Sequence, residues 1–161
     1  MDFPPFPAAA IAAAREAAKV HLRIAGASED ALIDGLAATA LALAERFTGT
    51  VLVARDFVET LAPARHWQVL GAVPVTAIEA GLDAAIDIDA RGVGRVRTAV
   101  RVRIAYRAGA AAGWGDLPPP IATGVVLLTG YLFDHRGGEP APPAAVTALW
   151  RPWRRMRLAA A

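Results

Sequence analysis

The hydrophobic period changes twice along this chain, and that alone confines it to a mixed fold. Up to about Thr48 the apolar residues recur at helical spacing. From Thr50 to Gly109 they alternate, in short runs set between the turn residues Pro63, Gly71, Pro74, Gly81, Gly92 and Gly94; beyond Pro118 the helical spacing returns. Side chains alternate across a strand but recur every three to four residues on a helix, so neither segment fits the other's structure. The expected class is α+β: a small helical bundle with an antiparallel β-region, about residues 50–109, inserted between the second and third main helices.

Helices are expected over about 8–22, 29–48, 119–136 and 143–150. In the first, Ile11, Val20 and Leu22 are the apolar anchors, and Gly26 is the break. Ser28 should cap the second helix with its hydroxyl, while Glu29 and Asp30 face the positive end of the helix dipole. Its apolar face reads Leu32, Ile33, Leu36, Ala40, Leu43, Ala44 and Phe47, with Asp34 and Glu45 off that face and Gly49 as terminator. Pro119 or Pro120 starts the third helix, which carries Ile121, Val125, Leu128, Leu132 and His135 along one side. Gly124 and Gly130 inside it cost about 1 kcal/mol each against Ala, which points to close approach of another helix or chain. Pro142-Pro143 opens the last helix through Val146, Leu149 and Trp150. The 161 residues fit one domain over 1–150 with a basic tail at 151–161. Because 39 residues are Ala, the bulky core must come from Leu, Ile, Val, Phe and Trp.

Charge is divided along the chain: residues 1–90 carry a net −6 and residues 91–161 a net +8. Such a division suits contact with two different neighbours, or with copies of the same chain head to flank; equally, the two halves neutralise each other within one fold. A strand over Arg95 to Arg107 places Val96, Thr98, Val100, Val102, Ile104 and Tyr106 on one face, and Arg95, Arg97, Arg101, Arg103 and Arg107 on the other. Five guanidinium groups on one surface need counter-charges, which Asp87 and Asp89 on a neighbouring strand can supply.

Few catalytic patterns survive inspection. There is no Cys, hence no disulfide framework, thiol nucleophile or zinc ribbon. The one serine, Ser28, is taken up as a cap. His21, His66 and His135 lie far apart and match no metal-ligand spacing. Gly92-Val93-Gly94 lacks the third glycine of a dinucleotide loop and leads into a strand where that motif needs a helix. Asp87 and Asp89 share a strand face, as an acid/base pair would, but ion pairing with arginines explains them more simply. The longest uncharged apolar run, Ile121 to Phe133, is short of the roughly 20 residues that cross a bilayer. Asp2 and the prolines at 4, 5 and 7 do not suit a cleavable secretory signal.

Two contact surfaces remain. One is the arginine face; the other is the C-terminal stretch Trp150, Arg151, Pro152, Trp153, Arg154, Arg155, Met156, Arg157 and Leu158. The latter matches the Trp and Arg enrichment of interface hot spots. Alternatively, Trp150 packs on the helices and the rest is a solvated end.

The order of elements resembles the head-tail connector (adaptor) proteins of long-tailed phages, including those of phage-derived gene transfer agents of alphaproteobacteria. The resemblance rests on Glu29-Asp30-Ala31-Leu32-Ile33 opening the second helix and Glu45-Arg46-Phe47-Thr48-Gly49 closing it. It continues through Val102-Arg103-Ile104-Ala105-Tyr106-Arg107-Ala108-Gly109, the Pro-started helix and the Pro-Trp-Arg-Arg end. The Ala-rich loop from Gly109 to Gly115 departs from many relatives.

The resemblance implies a non-enzymatic subunit without cofactor or metal. Its copies form a ring below a portal protein and pass packaged DNA through the centre without reading sequence. A tail-side neck (stopper) protein is the other neighbour, and no membrane is involved. Assembly in the bacterial cytoplasm and residence in the particle neck are implied as well. The resemblance assigns portal binding to Trp150, Arg151, Pro152, Trp153, Arg154, Arg155, Arg157 and Leu158. Arg95, Arg97, Arg101, Arg103 and Arg107 are expected at the subunit interface or the DNA channel. The long helices favour the adaptor over the more purely β stopper. The alternative from another class is a small basic nucleic-acid-binding or regulatory module, which would bind duplex DNA with a steep salt dependence.

Overall fold

A computed structural model of the chain describes residues 3–79, 81, 83–135 and 142–155. Helices α1 (Ala8–Leu22) and α2 (Asp30–Thr48) precede six strands: β1 (Arg55–Leu61), β2 (Ala64–Val69), β3 (Val75–Glu79), β4 (Ala84–Ile88), β5 (Gly94–Thr98) and β6 (Val102–Ala108). Helices α3 (Pro119–Asp134) and α4 (Ala144–Trp150) follow, with short 3-10 turns at Trp114–Asp116 and Arg151–Trp153. The fold is α+β, as its two sequence periods require. Residues 136–141 and 156–161, which include the expected end of the third helix, lie outside the described residues.

The helices pack around an alanine-lined seam. Ala10, Ala14 and Ala18 of α1 are buried one turn apart, and Ala37, Ala40, Leu41 and Ala44 of α2 meet Ile121, Val125 and Leu128 of α3 and Trp150 of α4. Small side chains let the α1 and α2 backbones approach, so the tight side of each helix is its alanine side. That moves the buried faces away from the expected ones: Val20 is 80% exposed and Leu32 half-exposed, while Glu45 and Thr48 turn inward. The helix ends also differ. Helix α1 stops at Arg23 in the left-handed conformation, before Gly26. Helix α2 starts behind Glu29 with no side-chain capping bond, so the cap expected of Ser28 is not formed. Gly49 does terminate α2, with φ 68°, where a side chain would be strained.

At Gly124 the side chain of Trp150 from α4 lies directly against the α3 backbone. A Cβ placed there would stand 2.2 Å from Nε1 of Trp150, whose indole N–H donates to the Ile121 carbonyl at 3.3 Å. At Gly130 a Cβ would come within 3.0 Å of the His21 ring on α1.

The strands form two antiparallel sheets, ordered β1-β6-β3 and β2-β5-β4. Both sheets turn apolar side chains to a shared second core: Phe57, Leu61, Ile104 and Tyr106 from the first meet Val96 from the second, with Leu70 and Val75 alongside. Phe57 and Tyr106 stack at 5.6 Å. The Tyr106 hydroxyl donates to Glu59 and accepts from the Ala72 N–H, while Glu59 also accepts from Gly71 at 2.9 Å, which ties the loop before β3 to β1 and β6. Burial, and then the bond to Glu59, push the Tyr106 hydroxyl well above its ordinary pKa. The single strand expected over 95–107 is in fact two strands. The even-numbered residues do face inward on both, but the chain leaves one sheet at Thr98 and enters the other at Val102, leaving Val100 half-exposed between them.

Two glycine substitutions should therefore act in opposite directions. Gly124→Ala overpacks the Trp150 contact and should destabilise by about 1–3 kcal/mol. Gly35→Ala in α2 meets nothing within 4 Å and should stabilise by about 1 kcal/mol from helix propensity. Urea unfolding of the two variants checks both signs.

Candidate functional site

The bundle and the sheets join at a buried ion pair. Glu45, in the last turn of α2, accepts from both terminal nitrogens of Arg55 at the start of β1, at 2.9 and 2.7 Å, and from the Leu52 N–H at 2.7 Å. Arg55 donates twice more: Nη1 also reaches the Val53 carbonyl at 3.1 Å, and Nε reaches the Pro4 carbonyl at 3.1 Å. The guanidinium lies over the rings of Phe6 at 4.5 Å and Phe57 at 5.3 Å. Both side chains are buried, at 6% exposure for Arg55 and 9% for Glu45. Because the α2 period puts its tight face on 37, 40, 41, 44 and 48, position 45 is drawn inward. A carboxylate beside a buried alanine, one turn before the helix terminator, was the only signal for this pair in the sequence.

The five arginines of the expected strand do not share a surface. Arg95 and Arg97 stand on β5 in one sheet, Arg103 and Arg107 on β6 in the other, and Arg101 in the connection between them. Arg95 binds Asp87 at 3.2 Å and Asp89 at 2.8 Å, so those carboxylates are its counter-charges. Asp89 also accepts from the N–H groups of Val93 and Arg91, which closes the β4–β5 turn; these bonds, the Val93 one foremost, with the nearby Arg95 charge, hold its carboxyl below the usual pKa. Arg97 lies over the Trp67 ring at 5.0 Å. Arg107 pairs with Asp56 at 2.9 Å on the exposed side of β1. Arg101 and Arg103 are exposed and form no ion pair among the described residues.

The C-terminal stretch starts inside the body. Trp150 is fully buried against α3 and Phe47, so it is a core residue and presents no surface to a partner. Its ring fills the space that Gly124 leaves open. Beyond it the chain comes to the surface: Arg151, Pro152 and Arg154 are exposed, and Trp153 is 44% exposed. Arg154 lies over the Phe47 ring at 5.8 Å. Arg155 donates its backbone N–H to the Thr48 carbonyl at 2.8 Å and its guanidinium to the Arg91 carbonyl. It thus links the end of α2 to the β4–β5 turn. Arg157 and Leu158 lie outside the described residues.

Among the described residues no three His, Cys, Asp or Glu side chains gather to hold a metal ion, and no helix is long and apolar enough to cross a membrane. His66 is exposed on β2, and His135 stacks on Tyr131 at 4.2 Å.

No protein-family model matches the chain, and no curated protein does. Solved structures do. The chain is similar to one in the neck of an empty gene transfer agent particle with six-fold symmetry, at 27% identity and TM-score 0.72, covering 98% of this chain and 97% of that one. It is similar to a chain in the virion of a native gene transfer agent particle, at 25% identity and TM-score 0.72, covering 98% and 96%. A chain in the neck of a native particle with twelve-fold symmetry gives 26% identity and TM-score 0.71, covering 98% and 97%. The likeness therefore extends through nearly the whole three-dimensional chain: this chain has the fold of structural chains in the neck and virion of gene transfer agent particles.

Two solution outcomes follow from the pairs described. Removing one member of the buried pair, as in Arg55→Met, leaves Glu45 uncompensated and should cost about 3–5 kcal/mol, while replacing both with apolar residues of similar volume should cost much less; denaturant unfolding of the single and double variants measures the difference. Asp89, with its folded pKa depressed, contributes stability that is present above the ordinary carboxylate pKa, about 4, and lost as pH falls through the folded value. Asp89→Asn should flatten the acid limb of stability against pH; an unchanged limb would contradict the assignment.

Proposed function

We infer that the protein is the adaptor subunit of such a neck: copies form a ring that joins the portal of a phage-like capsid to the tail side, with DNA passing through the centre. The observation that carries this reading is the whole-chain likeness to chains of particle necks whose structures were solved with six- and twelve-fold symmetry. A ring needs a heterologous interface, the same two unlike patches meeting at every joint. A chain with net −6 in residues 1–90 and +8 in residues 91–161 has the material for one. The protein works by contact, with no bond made or broken. Its partners are the portal protein, the stopper protein and its own copies; packaged DNA passes without sequence reading. It is assembled in the bacterial cytoplasm and then resides in the neck.

Portal contact is assigned to Arg151, Pro152, Trp153, Arg154, Arg155, Arg157 and Leu158, with Trp150 as the internal anchor from which the stretch projects. Residues 1–150 are the adaptor body and 151–161 its tail. Trp153 is exposed beside three arginines, the combination that dominates many interfaces. Arg101 and Arg103, exposed and without ion pairs in the described chain, either meet an acidic flank of the next subunit or look into the channel, with Arg95, Arg97 and Arg107 in supporting positions.

Deleting residues 151–161 should abolish capture of the protein by immobilised portal. Trp153→Ala should weaken that capture by about tenfold or more; undiminished binding of the deletion variant would remove the assignment. Charge reversal of Arg101 and Arg103 together should reduce ring assembly or DNA retention in particles, and normal particles would count against both roles.

A further inference from the structure

The sheet β2-β5-β4 has an open edge on each side: among the described residues β2 and β4 pair only with the central strand β5. Both edges carry exposed apolar side chains. On β4, Ile86 stands opposite the fully buried Val96, yet Ile86 is 44% exposed and Ile88 is exposed as well, so the second core stops short of this strand. On β2, Val69 is exposed, and so is Trp67 beneath the Arg97 guanidinium. Large apolar groups left open at a sheet edge are a template for contact with another chain.

The two edges differ in charge and match in height. Arg65 on β2 and Asp83 just before β4 are exposed and form no ion pair among the described residues. Ala64 and Ala84 both stand opposite Thr98, and Val69 and Asp87 both stand opposite Arg95. The edge strands therefore run parallel, with Arg65 and Asp83 towards one end and Val69 and Ile88 towards the other. Rotation of a copy about an axis along the strands sets β4 of one chain beside β2 of the next at the same level. Apolar side chains then meet apolar ones, and the free anion meets the free cation. A joint between unlike patches closes into a ring when it carries no rise, and winds into a filament when it does.

We propose that these two edges are the joint between neighbouring copies of the chain: Ile86 and Ile88 of one pack on Trp67 and Val69 of the next, and Asp83 meets Arg65. A second copy is the occupant because each edge offers what the other lacks. This joint presupposes the ring proposed above, and it uses none of the residues assigned to portal contact.

Because the chain has no cysteine, an engineered pair reports the joint. Val69→Cys and Ile88→Cys in one chain lie on strands separated by β5, about 10 Å apart. That exceeds the reach of a disulfide, about 7 Å between Cα atoms, so a bond between them joins two chains. Assembled on portal and mildly oxidised, the double variant should give a ladder of covalent multimers beyond the dimer. The ladder should form about tenfold or more faster than in a Val20→Cys, Ile88→Cys control, because the joint raises the effective concentration of the thiols; Val20 is exposed on α1. Rings of full mass by light scattering that cross-link no faster than the control would overturn the joint and leave the ring reading standing. If the cysteines themselves prevent ring formation, a charge exchange decides instead: Arg65→Asp should lower ring yield about tenfold, and adding Asp83→Arg should restore it. No loss, or loss without rescue, overturns the joint. Failure of the unaltered chain to form any multi-copy complex with portal would overturn the ring reading, and the joint with it.

Discussion

The Glu45–Arg55 pair is the joint on which the rest of the molecule depends. Desolvating two charges costs several kcal/mol per ion, and the cost is offset only when the geometry is good and the other donors and acceptors are also used. Here they are: both carboxylate oxygens are bonded, Arg55 also reaches Val53 and Pro4, and no buried side-chain nitrogen or oxygen among the described residues lacks a partner. The end of α2, the start of β1 and the N-terminal arm therefore share one fixed point. Backbone bonds continue the joint, since the segment 51–54 pairs with Ala110 and Ala111. The alanine-lined helical core and the aromatic β-core are thereby held in a fixed relation.

Much of this was legible in the sequence, for physical reasons that can be named. The change of period marked the helices and the strand region because burial imposes one repeat on each. Gly49 and the Pro119-Pro120 start were readable because backbone conformation dictates those residues. Gly124 signalled close approach because glycine in a helix is costly without a reason. What escaped was set by tertiary packing. Alanine carries little pattern, so the true inward faces of α1 and α2 were displaced from those that leucine and valine suggested. The break between β5 and β6 has no Gly or Pro to announce it; alternation runs unbroken through Ala99-Val100-Arg101 while the chain changes sheets. Glu45 falls off the expected apolar face, and its place beside an alanine one turn before Gly49 is too weak a sign that an arginine ten residues on buries it.

The charge division also resolves into particular pairs. Some of it is neutralised inside the fold: Asp56 of the acidic half binds Arg107 of the basic half, and Asp87 and Asp89 bind Arg95. Arg15 and Lys19 meet Asp30 and Asp34 within the acidic half itself. Part of what is left over lies where contact with other molecules is proposed. Arg101, Arg103 and Arg151 are exposed cationic groups that form no ion pair among the described residues.

The central claim is that this chain functions by assembling. Light scattering coupled to size exclusion, on the purified chain with and without its portal, tests that most directly. The account predicts that portal shifts the chain into a complex with the mass of a multi-copy ring bound to portal. A chain that stays monomeric in both runs, yet binds duplex DNA with a steep salt dependence, would contradict it.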